Sequence, residues 1–263
     1  MISYPNCKIN LGLHVVGKRP DGYHDLETIF LPVTDMQDEL EITEGPLEMH
    51  QDGITLDNIP EDNLCMKAWR LLHDEFGIAP VHIRLKKNIP FGAGLGGGSS
   101  DAAFTLKMLN EMFAIGLTDT DLEHRAARLG ADCAFFIKNQ AAYATGIGDK
   151  LENLDLRISN YEFRIEIPDG EHVSTKEAYA GLGERLSAKP TPQQKVKSER
   201  CDLREAVKRP IEEWRNLIVN DFEASVFPSH PAIAALKNDM YRRGALYASM
   251  TGSGAAVFGV FAK

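Results

Sequence analysis

The chain has 263 residues, with 29 lysines and arginines against 38 aspartates and glutamates, and therefore a formal net charge of −9. Hydrophobic residues make up 43% and charged residues 25%, which is typical of a globular protein and excludes disordered, collagen-like and disulfide-dense chains. The acidic balance argues against nonspecific binding to nucleic acid or to anionic membranes. No apolar run approaches the roughly 18–20 residues that a membrane span needs.

The N-terminus and the cysteines predict a cytoplasmic protein. No basic segment followed by a long apolar run occurs at the start of the chain, so we expect no signal peptide. Cys7, Cys65, Cys133 and Cys201 lie far apart and form no Cys-x-x-Cys pair. This spacing predicts free thiols in a reducing compartment rather than disulfides or a cysteine metal site.

The first half of the chain mixes strand and helix patterns. Alternation predicts strands over 8–15 and 81–85, and apolar residues at helical spacing predict helices over 61–76 and 101–113. A capping box at 118–121 opens a further helix, which we expect to end near residue 130.

The pattern restarts near residue 150, and we expect a domain boundary there. Lys, Pro, Gln, Ser and Thr dominate residues 183–200, a composition typical of a solvated loop. We predict strands over 141–144, 163–167, 246–249 and 256–260, and helices over 211–223 and 231–243.

The densest motif is a glycine cluster that joins a strand to a helix. Five of the seven residues from Gly92 to Gly98 are glycines, and we expect the helix to begin at Ser99 or Ser100. Glycines can take positive φ and turn backbone N–H groups inward, while the helix N-terminus adds partial positive charge. The loop therefore predicts a phosphate site. A flexible linker is the plainer alternative, but linkers rarely carry Ala and Leu at such a junction.

Two other glycine motifs fit less well. Gly92, Gly94 and Gly97 satisfy the dinucleotide-binding spacing, but no acidic residue ends a strand about 20 positions later. A P-loop requires lysine directly before the Ser or Thr, and here Gly98 precedes Ser99.

Three sets of residues carry a family resemblance. The stretch from Pro90 to Ala103 resembles the second motif of the GHMP small-molecule kinases, and residues 251–254 resemble their third. The run Lys18–His24, together with 8–11 and 130–132, resembles the branch of that family that acts on cytidine diphospho-methylerythritol.

The resemblance implies an α+β, two-domain GHMP kinase fold. Its N-terminal domain, a ribosomal-protein-S5-domain-2-like α/β lobe, would span 1–152, and its ferredoxin-like α+β lobe would span 153–263. The implied reaction moves the γ-phosphate of Mg²⁺-ATP to the 2-hydroxyl of 4-(cytidine 5'-diphospho)-2-C-methyl-D-erythritol in non-mevalonate isoprenoid synthesis. The partners would be this substrate and ATP, without nucleic acid or membrane, and the chain would be a monomer or weak homodimer.

The resemblance also assigns residues. Asp132 would be the catalytic base and Lys8 the cation beside it, and Ser100 would lie nearest the metal. For Asp101, whose position at the helix N-terminus favours a carboxylate, we expect a capping role rather than metal binding. The implied ATP-binding residues are Asn63, Lys87, Pro90, Phe91, Gly92, Ala93, Gly94, Leu95, Gly96, Gly97, Gly98, Ser99 and Ser100. The implied substrate-binding residues are Asn10, Tyr23, His24, Thr175 and Tyr179, and the third motif is Thr251, Gly252, Ser253 and Gly254.

Plainer interpretations and rival functions remain at this point. Taken singly, Asp132 could be a turn residue, Lys8 and Lys87 surface lysines, and Tyr179 a helix-packing residue. Rival functions are a homoserine or mevalonate kinase of the same family, a nucleotide-binding regulator without catalysis, and a nicotinamide oxidoreductase. The run Lys18–His24 argues against the first, and the retained lysine and aspartate argue against the second.

Overall fold

The computed structural model describes residues 1–54, 62–156, 158–187 and 201–263. Both halves contain runs of strands and runs of helices, so the predicted α+β class is confirmed. The strands are β1 Ile2–Ser3, β2 Asn6–Lys18, β3 His24–Gln37, β4 Glu39–Glu44, β5 Glu48–Gly53, β6 Val81–Lys87, β7 Ala142–Thr145, β8 Lys150–Asn153, β9 Tyr161–Glu166, β10 Tyr247–Met250 and β11 Val257–Ala262. The helices are α1 Leu64–Phe76, α2 Gly97–Met112, α3 Asp119–Leu129, α4 Phe135–Lys138, α5 Thr175–Ser187, α6 Leu203–Ala206, α7 Trp214–Leu217, α8 Glu223–Val226 and α9 Pro231–Arg242.

The chain forms two compact units that are discontinuous in sequence. Unit 1 comprises residues 1–8, 32–91 and 96–140, and unit 2 comprises 9–31, 92–95 and 141–263. Strand β2 starts in unit 1 and continues into unit 2 between Lys8 and Ile9. The domain boundary after residue 152 stays a prediction, since it concerns a linear division of the chain.

Unit 1 is built on the sheet β1-β4-β6-β5, in which only β5 and β6 pair in parallel. Burial alternates along β6, with Val81, Ile83 and Leu85 in the core, as the sequence predicts. Helix α1 begins at the capping residue Asn63 and ends at Gly77, which takes a left-handed conformation with φ of 67°. The predicted capping box of α3 is present.

Unit 2 contains the antiparallel sheet β10-β11-β9, against which α9 packs, and the pairs β3-β7 and β7-β8. Its core includes Ile233 and Met240 from α9 and Val257 from β11. These elements match the strands and the helix predicted for the C-terminal third of the chain.

Three predicted boundaries are wrong. Helix α2 begins at Gly97, earlier than expected, despite the low helix propensity of glycine; a Cβ atom at Gly97 would lie 2.9 Å from the Ile89 side chain, so the close packing there favours glycine. Residues 183–187 of the predicted loop belong to α5, and 188–200 lie outside the described residues. The helix predicted over 211–223 breaks into a 3₁₀ turn, Ile211–Glu213, and the short helices α7 and α8.

A buried cluster of three charges joins the sheet of unit 1 to α2. The Lys87 ammonium contacts the carboxylate of Asp38 and lies 2.7 Å from that of Asp101. Asp38 also accepts the backbone N–H groups of Asn88 and Ile89 at 2.6 and 2.8 Å. All three charged residues are at most 3% exposed. The interpretations of Lys87 as a surface lysine and of Asp101 as a helix cap are therefore wrong, and the cap of α2 is Gly96.

Burial and the neighbouring charges together shift the pKa values of this cluster. Burial raises the pKa of Asp101 to about 7, and the Lys87 charge opposes this shift only in part. Burial alone would lower the pKa of Lys87, but the charges of Asp101 and Asp38 raise it. Each charge is therefore tolerated because its partners are present.

We predict that Lys87→Met lowers the free energy of unfolding by about 3–5 kcal/mol, because it leaves two buried carboxylates without their cation. Lys86→Met is the matched control, since Lys86 is the exposed neighbour on the same strand, and its effect should stay within about 0.5 kcal/mol. Urea unfolding followed by circular dichroism measures both. Equal effects of the two substitutions would contradict a stabilising role of the cluster.

Candidate active site

Unit 1 brings together the two residues that the sequence singles out for chemistry. The Lys8 ammonium on β2 lies 3.3 Å from the Asp132 carboxylate, which follows α3. The Lys8 side chain is 4% exposed and that of Asp132 is 31% exposed. Lys8 is therefore a buried lysine, contrary to the surface interpretation, and it holds a carboxylate that solvent and ligands can reach.

The start of α2 lies against this pair. A Cβ atom on Gly96 would come within 3.1 Å of both the Lys8 side chain and the Phe136 ring, so only glycine fits without rearrangement. Gly96 has φ of 72° and offers no side-chain acceptor to the first turn of α2. The N–H groups of that turn lack a side-chain cap, as a helix that binds an anion requires.

Ser100, in the same turn, has a fully buried hydroxyl for which the described part of the chain supplies no hydrogen-bond partner. Magnesium takes oxygen ligands, so this hydroxyl is compatible with the neighbourhood of Mg²⁺-ATP. Among the described residues we find no group of three or more His, Cys, Asp or Glu side chains arranged to hold a metal ion.

Two further predicted ATP-binding residues of unit 1 have structural partners. Asn63 caps α1, since its side-chain oxygen accepts the Cys65 N–H at 2.9 Å. The Lys87 ammonium is occupied by its two carboxylates. Pro90 and Phe91 precede the glycines, and Phe91 is 60% exposed.

In unit 2 the glycine loop meets the third glycine motif. Gly92 and Gly94 have positive φ, whereas Ala93 between them is buried. A Cβ on Gly94 would lie 2.3 Å from the Thr251 carbonyl oxygen, and one on Gly252 would lie 3.0 Å from the Gly94 Cα. The two loops approach at backbone distance, and this contact requires glycine on both sides.

Thr251 connects this contact to β2. Its hydroxyl accepts the Asn10 backbone N–H at 3.0 Å and donates towards the Asn10 side-chain oxygen at 3.2 Å. The Asn10 amide in turn donates to the Thr28 hydroxyl at 2.9 Å. Thr28 therefore supports the predicted binding residue Asn10, and the sequence does not single it out because a threonine within a long strand has no pattern that sets it apart.

Two predicted substrate-binding aromatics lie together in unit 2. The His24 and Tyr179 rings stack with centroids 4.5 Å apart and planes at 18°, and Tyr179 packs edge-on against Phe222. Burial, and secondarily the Lys18 charge, lowers the pKa of His24. Tyr23, beside them in sequence, is 62% exposed. A base between His24 and Tyr179 would require the two rings to separate.

The start of α5 contacts the third motif through two hydroxyls, since the Thr175 and Ser253 oxygens are 3.2 Å apart. Close by in sequence, Glu171 and Glu177 contact the two ring nitrogens of His230. The hydrogen bonds to Glu171 and then Glu177 raise the pKa of His230. The segment that carries Thr175 is therefore held by polar contacts at its beginning.

The cysteines near the lysine and aspartate pair are free thiols. Burial raises the pKa of Cys133 to about 11, with a Ser99 hydrogen bond opposing the shift. Cys7 contacts the Val33 carbonyl at 3.6 Å. Both thiols therefore act as small buried side chains.

Along the described ranges, no helix has the length and apolar character needed to cross a membrane.

Comparison with known proteins shows the family to which the chain belongs. The model of the GHMP kinases N terminal domain matches residues 63–140, and that of the GHMP kinases C terminal matches 203–263. A 4-diphosphocytidyl-2-C-methyl-D-erythritol kinase of Bacteroides thetaiotaomicron is 49% identical over 99% of this chain and 92% of its own length. One of Parabacteroides distasonis is 47% identical over 100% of this chain and 92% of its own length.

Solved structures give the same result. A crystal structure of 4-(cytidine 5'-diphospho)-2C-methyl-D-erythritol kinase superposes with a TM-score of 0.78 at 32% identity, covering 98% of this chain and 89% of that one. Methanococcus jannaschii mevalonate kinase, at 16% identity and a TM-score of 0.72 over 99% of this chain and 90% of that one, shares the fold.

The chain belongs to the GHMP kinases and, within them, to the family of 4-diphosphocytidyl-2-C-methyl-D-erythritol kinases. It is therefore an enzyme with the two-domain GHMP kinase fold, as its glycine motifs predict. The matched N- and C-terminal models fall in the first and last parts of the chain, on either side of residue 150.

We predict opposite effects for two substitutions in the glycine cluster, one in the loop before α2 and one within α2. Gly94→Ala should lower the melting temperature markedly, since its Cβ would collide with the Thr251 carbonyl and its φ is 77°. Gly98→Ala should raise stability by up to about 1 kcal/mol, because Gly98 lies within α2 and its Cβ would meet only a Leu64 methyl at 3.9 Å. Differential scanning calorimetry compares them, and equal shifts would argue against the close backbone contact.

Proposed function

We propose that this enzyme transfers the γ-phosphate of ATP to the 2-hydroxyl of 4-(cytidine 5'-diphospho)-2-C-methyl-D-erythritol. The observation that carries the proposal is the accessible Asp132 carboxylate, paired with buried Lys8, beside the uncapped N-terminus of α2. Relatives that match the chain over nearly its full length are 4-diphosphocytidyl-2-C-methyl-D-erythritol kinases, which supports the choice of substrate.

The pair acts on the acceptor alcohol, which is a poor nucleophile at neutral pH. Asp132 accepts the proton of the 2-hydroxyl as its oxygen attacks the γ-phosphorus and the bond to the bridging oxygen of ADP breaks. Lys8 keeps the Asp132 carboxylate oriented, and its charge favours the developing negative charge on the acceptor and the transferred group. The proton stays on the Asp132 carboxyl group during the transfer and later passes to solvent.

The glycine loop serves the donor. We propose that the backbone N–H groups of Gly92–Ser100 bind the ATP phosphates, helped by the partial positive charge at the start of α2. Ser100 is the residue proposed to face Mg²⁺, which when bound neutralises charge between the phosphates. Asn63 and the backbone near Lys87 are proposed to border the adenine, because the Lys87 side chain is already occupied by carboxylates.

The cytidine end is assigned to Tyr23, His24 and Tyr179, whose flat rings can stack on a base. Asn10 and Thr175 are proposed to contact the remainder of the substrate. In this proposal the His24–Tyr179 stack, with centroids 4.5 Å apart, opens when a base enters between the rings.

The purified enzyme should release ADP from Mg²⁺-ATP in the presence of the cytidine diphospho-methylerythritol alcohol and not with homoserine or mevalonate. A coupled assay with all three alcohols at equal concentration makes the comparison. Release with mevalonate alone would contradict the proposed substrate and favour the other GHMP kinase activity.

Asp132→Asn should lower kcat by about 10²–10⁴-fold, since it removes the proton acceptor and keeps the shape of the side chain. The melting temperature should fall only modestly, because the Asn amide oxygen can still accept a hydrogen bond from the buried Lys8 ammonium and the side chain at 132 is partly exposed. Asp74→Asn, at an exposed position of α1, is the matched control and should retain full activity. Full activity of Asp132→Asn would refute the assignment of the base.

A further inference from the structure

The segment 220–223 of unit 2 carries polar side chains that the proposed reaction leaves unused. It interrupts the predicted helix between α7 and α8, and the backbone on either side of Asn220 pairs with Leu13 of β2. The Leu13 N–H donates to the Val219 carbonyl at 2.9 Å, and the Asp221 N–H donates to the Leu13 carbonyl at 2.8 Å. The position of Asn220 is therefore fixed by strand β2.

The Asn220 side chain forms hydrogen bonds with the backbone at the start of the third glycine motif. It is 3% exposed, and its side-chain amide donates to the carbonyls of Met250 and Gly252, each at 2.8 Å. Its side-chain oxygen accepts the Phe222 N–H at 3.0 Å, which fixes the orientation of the amide. One buried side chain thus bridges the two residues that flank Thr251.

Glu223 supports the same residues from the other side. One carboxylate oxygen accepts the Met250 N–H at 2.9 Å and the Ser249 hydroxyl at 3.0 Å, and the other lies 2.6 Å from the Lys237 ammonium. Both the N–H and the carbonyl of Met250 are therefore bound by side chains of one short segment. Charge-assisted hydrogen bonds of this kind are stronger than neutral ones.

Thr251, which lies between these anchors, transmits their position to two predicted binding elements. Its hydroxyl contacts the Asn10 backbone and side chain, and its carbonyl abuts Gly94 of the glycine loop. A shift of the backbone at 250–252 would therefore move the groups against which both Gly94 and Asn10 pack.

We infer that Asn220 and Glu223 are positioning residues, which set the glycine loop for the nucleotide by fixing residues 250–252. Neither residue is inferred to contact ATP or the acceptor alcohol. The inference rests on the proposed function, because it assumes that the glycine loop binds ATP.

The test is Asn220→Asp, which replaces a donor by a carboxylate oxygen against the carbonyls of Met250 and Gly252. We expect both the KM and the calorimetric Kd for ATP to rise about 10–100-fold, since displacements near 1 Å at a binding site can have effects of this size. Asn216→Asp is the matched control, because Asn216 lies four residues earlier, is exposed, and receives the same charge.

Two further variants keep the test possible if Asn220→Asp does not fold. Asn220→Ala removes the donors without adding a charge, and Glu223→Gln weakens the contact with the Met250 N–H while it keeps an acceptor. Each variant is compared at a temperature at which circular dichroism shows it fully folded. A rise of KM and Kd for ATP in the folded variants supports positioning.

An unchanged KM and Kd for ATP, with only a smaller folded fraction, would overturn the inference in favour of a purely structural role. The calorimetric measurement of the Kd for ATP needs no acceptor alcohol. It therefore tests the positioning role independently of the proposed substrate. A wild-type enzyme that binds ATP but phosphorylates none of the alcohols would contradict the proposed substrate and leave the effect of Asn220→Asp on ATP binding as a valid test.

Discussion

The approach of two backbones at Gly94 and Thr251 is the constraint on which the rest of the site depends. A Cβ atom at Gly94 would lie 2.3 Å from the Thr251 carbonyl oxygen. Because this oxygen belongs to the backbone, rotation of a side chain could not relieve the collision. The contact uses the Thr251 carbonyl on one side and its hydroxyl on the other, so one residue ties the glycine loop to Asn10. Specific residues behind the loop then become necessary, because a glycine-rich turn has little conformational preference of its own.

The structure places different tasks on buried and accessible charges. Lys8 is buried and Asp132 is reachable, so the pair combines a fixed cation with a carboxylate that can exchange a proton. Lys87 lies between two carboxylates that are equally buried, and this cluster has no such open face. Two lysines of similar appearance in the sequence therefore have different surroundings, and we propose a role in chemistry for Lys8 and a role in stability for Lys87.

Much of this arrangement could be predicted from the sequence, for identifiable reasons. Alternation in β6 and the capping box of α3 are local properties, and they predicted these elements well. The pairing of Lys8 with Asp132 required the family motifs, because neither residue is distinctive alone. The role of Lys87 could not be predicted, since its partners lie 49 and 14 residues away. Asn220 was hidden because apolar residues before it have helical spacing, and its long-range hydrogen bonds with the backbone outweigh that local preference.

Strand β2 is buried on both faces from Asn6 to Val15, and it carries Lys8 and Asn10 two residues apart. Side chains alternate along a strand, so inserting or deleting one residue between these positions would turn them to opposite faces. Leu11, which follows the change, would likewise be turned to the opposite face relative to Cys7. A change of length between Lys8 and Asn10 should therefore disturb β2 more than a substitution of similar size at either neighbouring apolar position.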